Sequence, residues 1–394
     1  MKKVLSFSLF LLCGLIASQL LPGALGESFD SIKDYVLTPL LYICLSFIMI
    51  NVGREFEVDK SHWRSYTADY FIAMATAALP WLLVAVYYIF VLMPQTYWGD
   101  GAAWRETLLL SRFAAPTSAG ILFAMLASLH LKDSWIYKKI QVLAIFDDLD
   151  TIILMIPLQI MMIGMKWQLF VVVLIVVSLL VLGWKKLDTY NVRQDWRAIL
   201  SYSVLVYAAT VVFYAVSEYF SPEEHDGVHI EVLLPAFVVG MIIKHKHIDN
   251  KIERGVSSSI SYLFMLLVGL SMPMVIGAGV HSHPETESTI SLAIPELEWG
   301  VIALHVLAVT LLSNLGKLMP IFFYRDRRFS ERLAVSVGMF TRGEVGAGVI
   351  CIAISYGLGG TALIVSALTL VLNLVLTGGF VIWVKYLAQR SYSR

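Results

Sequence analysis

The sequence predicts an all-α polytopic membrane protein of about twelve transmembrane helices. Of its 394 residues, 58% are hydrophobic and 15% charged, whereas soluble domains carry roughly 25% charged residues. Mean hydropathy is +0.75. The apolar residues fall in runs of about twenty bounded by charge, the length that crosses a hydrocarbon core about 30 Å thick. No water is available there to satisfy backbone amides, so runs this apolar are helices. The formal net charge is zero, which removes the basic balance a nucleic-acid partner requires.

In chain order the spans are expected at 4–24, 34–53, 68–93, 105–130, 136–163, 167–184, 196–220, 228–245, 257–279, 298–324, 329–354 and 360–388. The opening Met1-Lys2-Lys3 and its apolar run have signal-peptide character, but a run of about twenty residues suits a spanning helix better than a short leader core. Cys13, Cys44 and Cys351 each lie inside an apolar run. They are expected as small buried side chains, neither a disulfide framework nor a metal site.

Orientation follows the loop lysines and arginines. One set of segments holds Lys2, Lys3, Arg54, Lys60, Arg64, Lys132, Lys138, Lys139, Lys185, Lys186, Arg193 and Arg197, and continues through Lys244, Lys246, Lys251, Arg254, Arg325, Arg327, Arg328, Arg332 and the tail. The opposite set holds only Lys33, Arg105 and Lys166, together with the acidic stretches 222–226 and 284–287. Both termini are therefore expected in the cytoplasm. His245 and His247 read as part of a solvated basic loop.

Charges that fit neither set are the informative ones. The fifth span carries Phe146-Asp147-Asp148-Leu149-Asp150, three carboxylates in four residues. An ionised carboxylate in hydrocarbon is tolerated when paired, hydrated or coordinated, so these acids mark an ion or proton path. Arg112, Lys317 and Arg342 are likewise buried in spans. Asp147 follows Ile136 by eleven residues, about 16 Å of helix and close to the midplane. Lys317 lies within reach of it from the tenth span. Asp150 shares a similar face with Asp147 and either pairs with Arg112 or faces a cavity.

Two spans are interrupted at their centres, the fourth by Ala115-Pro116-Thr117-Ser118-Ala119-Gly120 and the eleventh by Thr341-Arg342-Gly343-Glu344-Val345-Gly346. Proline removes a backbone donor and glycine loosens the helix. Spans four and eleven run in opposite directions, and broken helices at matching places in inverted halves point to a transporter's midplane site. Arg342 and Glu344 suit the partial charges of the half-helix ends. A hard monovalent cation wants oxygen ligands, which Asp148, Asp147, Thr117, Ser118 and freed carbonyls offer. Asn314, His305 and Asn373 are expected to bond between helices.

These residues carry a resemblance. Phe146-Asp147-Asp148 resembles the double-aspartate motif of sodium/proton antiporters of the NhaA/NapA type, within the monovalent cation/proton antiporter superfamily. Arg342-Gly343-Glu344 resembles that superfamily's Arg-Gly-Glu motif, Pro116-Thr117-Ser118 its unwound fourth helix, and Lys317 its buried lysine. The resemblance runs from about span three to span twelve. It implies an NhaA-like fold with two crossed broken helices and a core moving against a dimerisation domain. The corresponding divisions are 1–67 and 196–290 for dimerisation, 68–163 and 291–394 for the core, and 164–195 for a linker helix. It implies Asp148 as the main ion ligand, Asp147 salt-bridged to Lys317, and the electrogenic branch. Where many relatives have Thr-Asp, this chain has Thr117-Ser118, one carboxylate fewer. The expected function is exchange of sodium or lithium, with potassium a further candidate, for protons in a homodimer of the bacterial inner membrane, without a cofactor. A sodium-coupled symporter or cation channel with a related core is the alternative. Enzyme readings lack their motifs, neither a Gly-x-Gly-Asp nor a His-Glu-x-x-His being present.

Overall fold

The computed structural model describes residues 2–54, 63–127, 134–163, 167–186, 189–219, 232–243, 251–271, 288–294, 297–356 and 358–392. Described segments are helical but for turns, short linkers and one isolated bridge between Tyr190 and Ile243. In order the α-helices are α1 (Lys2–Leu25), α2 (Glu27–Ile32), α3 (Thr38–Arg54), α4 (Trp63–Tyr87), α5 (Gly101–Ser111), α6 (Ala119–Ala127), α7 (Trp135–Ile163), α8 (Trp167–Lys185) and α9 (Trp196–Tyr219). They continue with α10 (Leu233–Ile242), α11 (Lys251–Leu270), α12 (Thr289–Ala293), α13 (Trp299–Gly316), α14 (Pro320–Phe323), α15 (Phe329–Gly338), α16 (Glu344–Ser355) and α17 (Gly360–Tyr392).

Six of the expected spans appear as stretches long and apolar enough to cross a membrane: Leu5–Ala24, Tyr35–Arg54, Tyr66–Leu92, Trp196–Val216, Trp299–Phe323 and Gly360–Ser391, the fifth of them carrying a turn between α13 and α14. Of the other six, the sixth falls on α8, a continuous apolar helix of 19 residues, and the rest on helices that are interrupted, acid-bearing or shorter among the described residues. The fourth is divided into α5 and α6 and the eleventh into α15 and α16, while the fifth is α7 with its three acids.

Polarity is distributed inside out. Leu304, Leu307, Leu311 and Leu315 on α13 and Leu205 and Val212 on α9 face outward, whereas Arg112, Asp147, Lys317 and Arg342 are at most 1% exposed. A bilayer rewards that arrangement and water does not. Cys44 is buried as expected, but Cys13 is exposed. α1 is apolar around its whole circumference, with Leu5, Leu9, Ile16 and Leu20 also outward, so no stripe in the sequence separates its inner from its outer face.

Small residues bring backbones together, as they do between membrane helices. A side chain at Gly14 would strike the Leu266 carbonyl, and one at Gly269 the Leu11 carbonyl, so α1 and α11 touch through their main chains. Gly53 and Gly240 meet reciprocally between α3 and α10. The packing sorts into two groups. α3 lies against α9, α10 and α11, with α1 on α11 and α8 on α10. α4 lies against α5, α7 and α13, and α17 against α13, α15 and α16. α1 with α17, and α3 with α6, bridge the groups.

Candidate functional site

The site begins with the two interruptions. α5 opens on Asp100, whose carboxylate accepts the Ala102 N–H at 3.0 Å. It ends at Ser111, a 3-10 turn covers Arg112–Ala114, and the helix resumes only at Ala119. Ser118 starts the second half, its Oγ accepting the Ile121 N–H at 3.4 Å. α15 stops at Gly338 and α16 starts at Glu344. The interruptions meet, since the Ser118 N–H donates to the Thr341 carbonyl at 3.0 Å. The Thr117 hydroxyl donates to the Met339 carbonyl at 3.2 Å.

α7 runs past this junction. Asp147 Oδ2 accepts the Thr117 N–H at 2.6 Å, so the acid takes up a donor that the broken helix released. Lys317 Nζ lies 3.1 Å from Asp147 Oδ1 and 3.0 Å from Oδ2, and also donates to Thr117 Oγ1 at 3.1 Å. Both side chains of this ion pair are fully buried. Lys317 is not in mid-helix. It follows the last residue of α13, so its charge stands at the negative end of that helix. Gly316 makes this placement, because any Cβ there would lie 2.5 Å from Pro80 N on α4.

The Met339 carbonyl, at the end of α15, also accepts Arg342 Nη1–H at 3.0 Å. Arg342 thus caps the negative end of one half-helix from inside the protein. Pro116 lies in the non-helical stretch, fully enclosed, with Thr117 and Ser118 buried beside it. Among the described residues no group of three or more His, Cys, Asp or Glu side chains is arranged to hold a metal ion. The arrangement is a buried ion pair beside freed backbone. Asp148 and Glu344 lie on α7 and α16, but their side chains are outside the described residues, as are His245 and His247.

Residues 2–386 match the family described as sodium/hydrogen exchanger, transmembrane. The chain belongs to that family. The solved structure of the sodium proton antiporter MjNhaP1 from Methanocaldococcus jannaschii at pH 8 is similar over 95% of this chain and 92% of that one, with a TM-score of 0.56 and 15% identity. That likeness is one of fold. No curated protein sequence matches the chain.

Around the pair the exchanger holds further polar groups. Arg112 donates Nη2–H to the backbone carbonyl of Asp150 at 3.1 Å and stacks its guanidinium 4.8 Å from the Trp81 ring centre. Asn314 Nδ2 donates to Asn373 Oδ1 at 3.0 Å, and His305 Nδ1 lies 2.8 Å from the Tyr87 hydroxyl, so these polar residues do bond between helices.

One cluster escaped the sequence reading. Asp69, 2% exposed on α4, accepts Lys139 Nζ at 2.7 Å and the Tyr324 hydroxyl at 2.8 Å. Trp135 packs edge-on to Tyr324, and Arg327 lies 4.9 Å from the Trp135 ring. The only available signal was a carboxylate just inside an apolar run at Asp69.

Proposed function

We propose that this exchanger moves a monovalent cation, sodium or lithium with potassium as a further candidate, against protons by alternating access and electrogenically. The observation that carries the proposal is the fully buried Lys317–Asp147 pair at the junction of two interrupted helices. A paired carboxylate and amine in low dielectric exchange protons for a cation because each charge there depends on its partner. In the empty state Lys317 is charged against Asp147 and Asp148 holds a proton. A cation entering beside Asp148, with Asp147 and the Thr117 and Ser118 region as oxygen donors, displaces that proton. Asp147 is drawn to the cation and Lys317 gives up its proton. Two protons leave as one cation binds, so one net charge moves per cycle. Proton and cation compete for one site, which is what couples them.

The double aspartate supports the electrogenic, NhaA/NapA-type branch. The two packing groups of helices support a core of 68–163 and 291–394 moving against 1–67 and 196–290, with 164–195 as linker. Twelve spans, crossed broken helices, both termini in the cytoplasm, a homodimer and the bacterial inner membrane complete the reading, and pH homeostasis is the physiological role it gives.

The test is cation-driven proton flux in proteoliposomes with and without a clamped membrane potential. Addition of sodium or lithium to the wild type dissipates an imposed pH gradient, and Asp148→Asn abolishes the response. A requirement for an organic solute, or exchange retained in Asp148→Asn, overturns the proposal.

A further inference from the structure

α4 carries Pro80 and Trp81 side by side, and each meets a helix end that borders the site. Pro80 is the backbone against which Gly316 rests, one residue before Lys317. Trp81, half-buried, donates its indole Nε1–H to the Leu108 carbonyl at 2.7 Å. That carbonyl lies in the last turn of α5, where the chain tightens into the 3-10 turn and the Arg112 N–H goes to the Leu109 and Leu110 carbonyls instead. The Ser111 hydroxyl lies 3.4 Å from the same oxygen. A helix end enclosed in protein needs donors of this kind for its last carbonyls. The Trp81 ring also carries the Arg112 guanidinium, 4.8 Å from its centre, and Arg112 reaches the Asp150 main-chain carbonyl on α7. An indole face attracts a cation at that distance. One aromatic side chain thus ties α4 to the end of α5 and, through Arg112, to α7. In the eleventh span the matching end, at the Met339 carbonyl, is capped by the charged Arg342; in the fourth the donor is neutral.

We infer that Trp81 is a positioning residue of the exchange site. By capping α5 and seating Arg112 it fixes where the 115–118 stretch lies, and with it the Thr117 and Ser118 oxygens offered to the cation. The inference rests on the antiport reading, and Trp81 acts without touching the ion. Only the three residues Arg112–Ala114 separate the capped end from the non-helical stretch. A shift at Leu108 therefore has little chain in which to be absorbed before it reaches Thr117. Thr117 in turn bonds to Asp147 and Lys317. Loss of the cap changes the geometry offered to the cation, so it weakens cation binding more than it slows turnover.

The experiment is sodium-driven proton flux in proteoliposomes, read as KM for sodium and as turnover per reconstituted protein. Trp81→Phe removes the N–H and keeps a ring for Arg112. With one buried hydrogen bond lost, KM is expected to rise about fivefold, with turnover at saturating sodium falling less. Trp81→Leu, which also removes the ring, is expected to raise KM further. A purely structural tryptophan would lower the melting temperature and the amount of active protein and leave KM where it was. An unchanged KM in a variant that still exchanges overturns the inference and leaves the antiport reading standing; a wild type without sodium-driven flux overturns both. Should Trp81→Phe fail to fold, 3-benzothienylalanine at position 81 decides the matter, because it keeps the shape of the indole and replaces its N–H with sulfur. A raised KM in that protein supports the assignment, and a wild-type KM refutes it.

Discussion

Two lysine–aspartate pairs share α7 and sit in opposite surroundings. Lys139 reaches Asp69 at 2.7 Å with their side chains 15% and 3% exposed, while Asp147 meets Lys317 at 3.0 Å with both fully buried. Eight residues, about 12 Å of helix, separate them. The outer pair is shorter, yet it draws on the Tyr324 hydroxyl, the aromatic rings of Trp135 and Tyr324, and some access for Lys139. The inner pair has no such access, so Thr117 supplies both a backbone N–H for the acid and a hydroxyl for the amine. Burial decides what a pair of this kind is for. A partly exposed pair is a modest fastening, whereas a buried one is held in balance and responds to any change in its charge.

The largest effect should follow from breaking the inner pair on one side. Lys317→Ala leaves Asp147 buried and unbalanced, and such losses run to about 3–5 kcal/mol. Thermal unfolding in detergent should show it. The sharper form adds Asp147→Leu to Lys317→Met. With both charges gone the double variant should recover much of the stability lost by either single change, a coupling above about 1 kcal/mol. Strict additivity would mean that the two groups do not balance each other, and the comparison with the outer pair would collapse.

A smaller effect is expected at Gly316, which seats the inner lysine. Gly316→Ala places a methyl against the Pro80 backbone, where no flexible side chain can give way. Overpacking of this kind costs about 1–3 kcal/mol. Because the shift moves Lys317, cation-driven flux should fall as well. Unchanged unfolding and unchanged flux would show that α4 and α13 have slack at the point where they touch.

Much of the inner site could be read from the sequence, because charge inside an apolar run is a one-dimensional signal. Asp147, Lys317, Arg112 and Arg342 all stood out that way, and Pro116 and Gly343 marked interruptions that the structure has at 115–118 and 339–343. What could not be read depends on contacts between distant segments. Lys317 stood as a residue within a span, and only the Gly316–Pro80 contact and the end of α13 show it as a helix terminus. Asp69 and Tyr324 are 255 positions apart and each looks ordinary alone. Glycines at 14 and 269 differ from lipid-facing glycines only in what lies opposite them. The exposure of Cys13 escaped for the same reason, since lipid and protein interior select similar side chains.

The smallest effect belongs to the outer cluster. Tyr324→Phe removes one hydroxyl donor from Asp69 and leaves Lys139 in place. A hydrogen bond to a charged group contributes about 1.5–3 kcal/mol when fully buried, and the Lys139 end of this cluster is 15% exposed, so about 1 kcal/mol is the expected loss. Unfolding in rising choline chloride, whose cation is not among those proposed for exchange, separates the two regions. The outer contribution should shrink as ions screen Lys139, and the Lys317→Ala penalty should stay the same, because a pair sealed from solvent is screened far less. Equal salt sensitivity at both sites would mean that water reaches Lys317 as readily as Lys139, and the inner pair would then be no more than a second fastening.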